Sequence, residues 1–127
     1  ELSVSIPEDK IYVLLDKQFF TRCLENLLNN AIRYNSAGTT IFVIVKKFND
    51  RVCISLCDNG VGIRKEIAES IFEPFVTGNI ARTSGESTGL GLSIVKKIIE
   101  THNGTICLKT KPETNYSTEF VIQLNIL

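Results

Sequence analysis

Gly85-Glu86-Ser87-Thr88-Gly89-Leu90-Gly91-Leu92-Ser93-Ile94-Val95-Lys96-Lys97 is the stretch on which the fold turns. A polar, glycine-bearing segment runs into Leu90, Leu92, Ile94, Val95, Ile98 and Ile99. Leu90, Ile94 and Ile98 recur at the spacing of one helix face, so the sequence predicts a helix beginning near Gly89. A glycine-led helix start leaves backbone N–H groups unpaired. Together with the positive end of the helix dipole, these donors form an anion site. Gly89 and Gly91 carry no Cβ, so a phosphate chain can lie close to the backbone. The stretch is a candidate phosphate cradle, and its plain alternative is a glycine turn without a ligand.

Moving outward toward the N-terminus, Phe75 to Ser87 shows no period and much Gly, Thr, Ser and Asn. A loop this long in a small domain is either a lid or disordered. Before it, Ile67, Ile71 and Phe72 predict a short helix over Arg64–Phe72, stopped by Pro74. Thr40 to Phe48 is an apolar run fit for a central strand, Asn49-Asp50 turns the chain, and Val52 to Cys57 runs back. Period two puts Val52, Ile54, Leu56 and Asp58 on one face and Cys53, Ser55 and Cys57 on the other. Asp58-Asn59-Gly60-Val61-Gly62-Ile63 then leads to a helix, where an ordinary hairpin turn would lead to a strand.

Asp16 is a good N-cap for a helix from about Lys17 to Tyr34. At a hundred degrees per residue, Phe20, Leu24, Leu27, Leu28, Ala31 and Ile32 share the predicted core face. Asn26 and Asn30 flank that face in a row continued by Tyr34, while Glu25 and Asn29 point to solvent. Amides at a core boundary either bond nearby backbone or border a pocket. At the N-terminus, Val4–Ile6 and Tyr12–Leu15 predict two short strands joined at Pro7-Glu8-Asp9. Downstream of the cradle, Gly104 ends the helix with His102 and Asn103 in its last turn. Thr105–Lys109 and Ser117–Leu124 form a closing hairpin with Ile106, Leu108, Phe120, Ile122 and Leu124 inward.

A chain of 127 residues holds one domain with one core. Lys+Arg and Asp+Glu are 14 each, a balance that argues against bulk electrostatic binding to nucleic acid or an anionic membrane. No apolar run approaches the ~20 residues of a membrane span. There is no Met, and the opening at Glu1-Leu2-Ser3 reads as a piece of a longer protein. Cys23, Cys53, Cys57 and Cys107 lack paired spacing and are expected to be reduced core thiols of a cytosolic domain.

These pieces, in this order, resemble the catalytic and ATP-binding domain of sensor histidine kinases, within the superfamily shared with DNA gyrase, mismatch-repair ATPases and heat-shock chaperones. Asn26-Leu27-Leu28-Asn29-Asn30-Ala31-Ile32-Arg33-Tyr34 resembles the asparagine box, and Asp58-Asn59-Gly60-Val61-Gly62-Ile63 the first glycine box. Ile71-Phe72-Glu73-Pro74-Phe75 resembles the phenylalanine box, and Thr88-Gly89-Leu90-Gly91-Leu92 the second glycine box. The likeness spans Leu15 to Phe120. It implies an α/β two-layer sandwich of the Bergerat type, with a mixed sheet of about five strands and about three helices on one face.

The resemblance also implies site roles. Asp58 would accept a hydrogen bond from the adenine amino group, and Gly62 would let the backbone pass close to the base, in a turn that includes Gly60 and Ile63. Asn30 would offer its amide oxygen to Mg²⁺, and Asn26 would sit near the phosphates. Arg33 would reach phosphate oxygens, and Tyr34 would cover the base. Thr88, Gly89, Leu90, Gly91 and Leu92 would give backbone N–H groups to the phosphates. Phe72 and Phe75 would anchor the closing loop, and Arg82 is its candidate for the γ-phosphate. Val76, Thr77 and Ser87 depart from the family pattern, which carries an aromatic, a basic residue and a glycine there.

The implied partners are the protein's own phosphoacceptor histidine domain and, through it, a response regulator. The domain would be cytoplasmic, within a full-length protein anchored in the membrane. Two other functions compete: an ATP-hydrolysing clamp and a nucleotide-binding module without chemistry. Asn26 stands where the hydrolysing branch carries a glutamate, and an amide cannot serve as a general base.

Overall fold

The computed structural model describes residues 1–74 and 91–127. Its elements are β1 (Leu2–Ser5), α1 (Lys17–Tyr34), β2 (Ile41–Phe48), β3 (Arg51–Asp58), α2 (Lys65–Ala68), α3 (Gly91–Thr101), β4 (Thr105–Thr110) and β5 (Thr118–Asn125). The five strands form one sheet in the order β1-β2-β3-β5-β4. Only the β1–β2 pair is parallel, so the sheet is mixed as expected.

Asp16 starts α1 as predicted: its Oδ1 accepts from the Phe19 N–H at 3.1 Å. The helix buries Cys23 and Leu27 against Val52, Leu56, Val95, Ile99, Phe120 and Ile122. These strand residues alternate, so one sheet face carries the helices. Removing that apolar surface from water is the main stabilising term of the fold. Glu25 and Asn29 are exposed and Asn26 and Asn30 half-buried, which is the helix rotation read from the sequence. Ile32 corrects that reading. It is 64% exposed and absent from the core, which α1 meets through Phe20, Cys23, Leu24, Leu27 and Leu28.

Tyr12–Leu15 also differs from expectation, forming no strand. Ile11, Val13 and Leu15 pack on the core while Tyr12 and Leu14 face solvent. The period of two is real, but it marks an extended strap along the core rather than a ladder. Its Tyr12 carbonyl accepts from the Leu127 N–H at 2.7 Å.

At the end of α3 the left-handed position belongs to Asn103, at φ 61°. Gly104 is needed for a different reason than the cap expected of it. A Cβ there would lie 2.7 Å from both the Gln123 carbonyl oxygen and Leu124 Cδ2. The four cysteines are free thiols, but only Cys23 and Cys57 are buried. Cys107 is exposed because β4 is an edge strand, and its side chain lies on the opposite face from Ile106.

Candidate functional site

β3 ends on Asp58, whose side chain falls on the helix-bearing face with Leu56 and Ile54. The register sets Thr118, the first residue of β5, directly opposite. Both are buried, at 6% and 4% exposure, and the Thr118 hydroxyl donates to Asp58 Oδ2 at 2.5 Å. Asp58 Oδ1 accepts from the Gly60 N–H at 3.0 Å. A buried carboxylate is held in place when both oxygens are hydrogen-bonded.

Around this pair lies a cavity with apolar walls and one polar flank. Leu27, Leu56, Ile71, Leu92 and Phe120 form its walls, and Asn30, Asn35, Gly62, Ile63 and Cys57 also line it. Cys57 has its thiol pushed up to about 12, first by burial and then by the Glu119 and Asp58 carboxylates. It is therefore a neutral neighbour of the site, not a nucleophile.

The turn after Asp58 is fixed from several sides. Asn59 Oδ1 accepts from the Thr40 N–H at 2.9 Å, and Asn35 Oδ1 accepts from the Val61 N–H at 3.0 Å. Gly62 takes φ 79°, a conformation that side chains with a Cβ rarely adopt, so the backbone bends here because the residue is glycine.

Asn30, Asp58, Gly62, Ile63 and Leu92, drawn from three separate motifs, thus meet in one cavity. Asn26 and Gly91 lie beside it, with Asn26 Oδ1 3.9 Å from the place a Gly91 Cβ would occupy. The asparagine-bearing face of α1 therefore reaches the first turn of α3. Arg33 is half-buried and does not line the cavity, and Gly60 lines a neighbouring groove with Arg64, Lys65 and Lys111. Phe72 packs edge-on against Phe120, with centroids 6.1 Å apart, and Lys96 Nζ lies 5.7 Å from the Phe72 centroid. Phe75, Arg82, Thr88, Gly89 and Leu90, the Phe75–Ser87 loop and the Tyr34 side chain lie outside the described residues.

Two site residues escaped the sequence reading. Thr118 is 60 residues from Asp58 and is found only through the β3–β5 register. Asn35 carried a signal, an Asx residue at a helix end, that reads first as a stop. Among the described residues, no group of three or more His, Cys, Asp or Glu could hold a metal ion. An ion here could take oxygens from an amide, a ligand and water. The half-buried amide of Asn30 fits such a hard, oxygen-seeking cation.

Comparison with known proteins gives a concordant result. The model of the histidine kinase-, DNA gyrase B- and HSP90-like ATPase family matches residues 15–126. The sensor histidine kinase YvrG of Bacillus subtilis is 36% identical over 122 residues, covering 96% of this chain but 21% of that protein. The chain thus spans about a fifth of that relative's length. The mycobacterial sensor histidine kinase MprB superposes with a TM-score of 0.85 at 26% identity, covering 99% of this chain and 83% of that one. The histidine kinase ThkA, solved in complex with the response regulator TrrA, gives 0.78 at 26% identity, covering 100% and 34%.

Proposed function

The chain belongs to the histidine kinase-, DNA gyrase B- and HSP90-like ATPase family, and from that premise we propose that it is the ATP-binding catalytic domain of a larger sensor histidine kinase. It binds ATP with Mg²⁺ and presents the γ-phosphoryl group to a histidine on a separate phosphoacceptor domain. The single observation that carries this reading is the buried Asp58–Thr118 pair at the base of a cavity flanked by Asn30.

In this reading Asp58 accepts from the adenine amino group, and the apolar walls stack on the ring. Gly62 keeps the turn clear of the base. Asn30 gives its amide oxygen to Mg²⁺, whose charge balances that of the phosphates when it is bound. Asn26 and the first N–H groups of α3, at Gly91 and Leu92, face the phosphate chain, with Thr88, Gly89 and Leu90 continuing the cradle. Ile63 adds a contact from the cavity wall; Tyr34, Phe75 and, from outside the cavity, Arg33 and Gly60 are the remaining candidates for nucleotide contact, and Arg82 is the candidate for the γ-phosphate. Phosphoryl transfer asks little of the protein beyond such positioning and charge stabilisation. A response regulator would then draw the group from the acceptor histidine, as the ThkA–TrrA pairing suggests for a relative.

Incubation with γ-labelled ATP and Mg²⁺ tests the reading, using this chain alone, a phosphoacceptor domain alone and the two mixed. Acid-labile phosphate on the acceptor domain, only in the mixture, is the expected result. Failure to transfer to any phosphoacceptor domain while ATP turns over would reassign the chain to the hydrolysing branch.

A further inference from the structure

We propose that Asn35 is a positioning residue for nucleotide binding, tying the end of α1 to the Asp58–Val61 turn and so setting the base-binding carboxylate against the amides on α1. The inference rests on the reading of Asp58 as the base acceptor. Asn35 terminates α1 with an extended backbone, at φ −113° and ψ 152°, which turns its side chain back along the helix. Its Nδ2 donates to the Ala31 carbonyl at 2.9 Å, and its Oδ1 accepts from the Val61 N–H at 3.0 Å. The adjacent Gly60 N–H is held by Asp58 Oδ1 at 3.0 Å. Two successive amides of one turn are therefore held by two different side chains, one by the base carboxylate and one by Asn35 at the end of the helix that carries Asn26 and Asn30.

Gly60 closes the arrangement. A Cβ on this residue would lie 1.9 Å from Asn35 Oδ1 and 2.4 Å from Asn35 Cγ, and no positive φ requires glycine there. Gly60 is glycine because the Asn35 amide lies against it. Few side chains can replace that amide. Aspartate has no donor for the Ala31 carbonyl, glutamine is one methylene longer, and alanine has neither group. A simple helix cap would need only the bond to Ala31, and the second bond, across to Val61, is what ties the two halves of the site together.

The experiment compares the chain with Asn35→Ala, Gly60→Ala, the double variant and Asp58→Asn. It reads adenosine and ADP affinity by calorimetry, thermal melting, and amide exchange at Val61 in the nucleotide-free protein. Asn35→Ala is expected to speed Val61 exchange and weaken adenosine about tenfold, as for one lost positioning bond, while exchange in β3 and β5 stays unchanged. Gly60→Ala alone should weaken adenosine at least as much. In the Asn35→Ala background it should add little, since the three atoms nearest the new Cβ belong to Asn35. Asn35→Ser keeps a hydroxyl able to bond the Ala31 carbonyl, and it replaces Asn35→Ala if that variant does not fold. Normal adenosine affinity and normal Val61 exchange in a folded Asn35 variant, with binding lost in Asp58→Asn, would overturn the proposal. So would strictly additive losses in the double variant. Normal adenosine binding by Asp58→Asn would instead remove the base reading, and Val61 exchange would still decide whether Asn35 holds the turn.

Discussion

Replacing Asp58 by Asn separates its role in holding the turn from its proposed role in recognising the base. The wild-type carboxylate is 6% exposed and accepts from the Gly60 N–H and the Thr118 hydroxyl. In Asp58→Asn the amide oxygen can keep the Gly60 bond. The amide NH₂ then meets Thr118, whose hydroxyl rotates to accept. Both bonds survive in number but lose their ionic character, which costs about 1 kcal/mol each and so about 2 kcal/mol of stability. Toward the nucleotide the change is of another kind, because an acceptor becomes a donor facing the amino donor of adenine. Losing a hydrogen bond to a charged group costs about 1.5–3 kcal/mol, or roughly ten- to over a hundredfold in affinity. Calorimetry with ATP, ADP and GTP, beside a melting curve for each variant, reads both quantities. GTP should bind poorly to the wild-type chain, since its ring oxygen would face a carboxylate. Asp58→Asn binding ATP within threefold of wild type, or wild type binding ATP and GTP equally, would refute the assignment.

The buried thiols predict an alkaline limit to stability. Cys23 is pushed from 9.0 to about 11, first by burial, and Cys57 to about 12. The folded state therefore keeps these protons longer than the unfolded state, so stability is complete below pH 9 and falls as pH rises through the window from 9 toward 11 and 12. The slope approaches about 1.4 kcal/mol per pH unit for each thiol, and denaturant midpoints from pH 8 to 10.5 that stay flat would contradict it. Gly104→Ala should cost about 1–3 kcal/mol, because its Cβ would meet Gln123 and Leu124. Its ADP affinity, measured well below the melting temperature, should match wild type. His102→Ala removes two hydrogen bonds, from the Asp16 N–H and to the Ile98 carbonyl. A destabilisation of about 1–3 kcal/mol with unchanged ATP affinity is expected, and lost ATP binding in a folded variant would contradict that role.

Local signals recovered most of the fold and part of the site. The N-cap Asp16, the rotation of α1 and the alternation in β3, β4 and β5 all depend on neighbours within a few residues, and the sequence carries them directly. The Tyr12–Leu15 error shows the limit of periodicity, which registers alternating burial but not a hydrogen-bonding partner. Thr118 was invisible for a related reason. Its role depends on the register that sets it opposite Asp58, and nothing next to it in the chain announces that register. Gly60 and Gly62 look alike in the sequence but need glycine on different grounds. Gly62 has a positive φ, whereas Gly60 lies against Asn35. Only three-dimensional packing distinguishes a conformational glycine from a steric one.

The same packing bears on where the chemistry is completed. Asn26 reaches toward Gly91, while Glu25, the adjacent carboxylate, is exposed on another side of α1. An amide takes no proton from water, so in the proposed reading α1 orients phosphates without activating a hydrolytic nucleophile. A neutral imidazole needs no such activation, because its ring nitrogen carries a free lone pair. The chain's only histidine, His102, has that lone pair engaged: Nε2 accepts from the Asp16 N–H at 2.9 Å, while Nδ1 meets the Ile98 carbonyl at 2.8 Å. It also follows the last turn of α3, whereas the proposed cradle is at the first. At 1.5 Å per residue these ends are about 15 Å apart. In the proposed reaction the attacking nitrogen must therefore come from another domain, and catalysis depends on how that domain docks over the cavity.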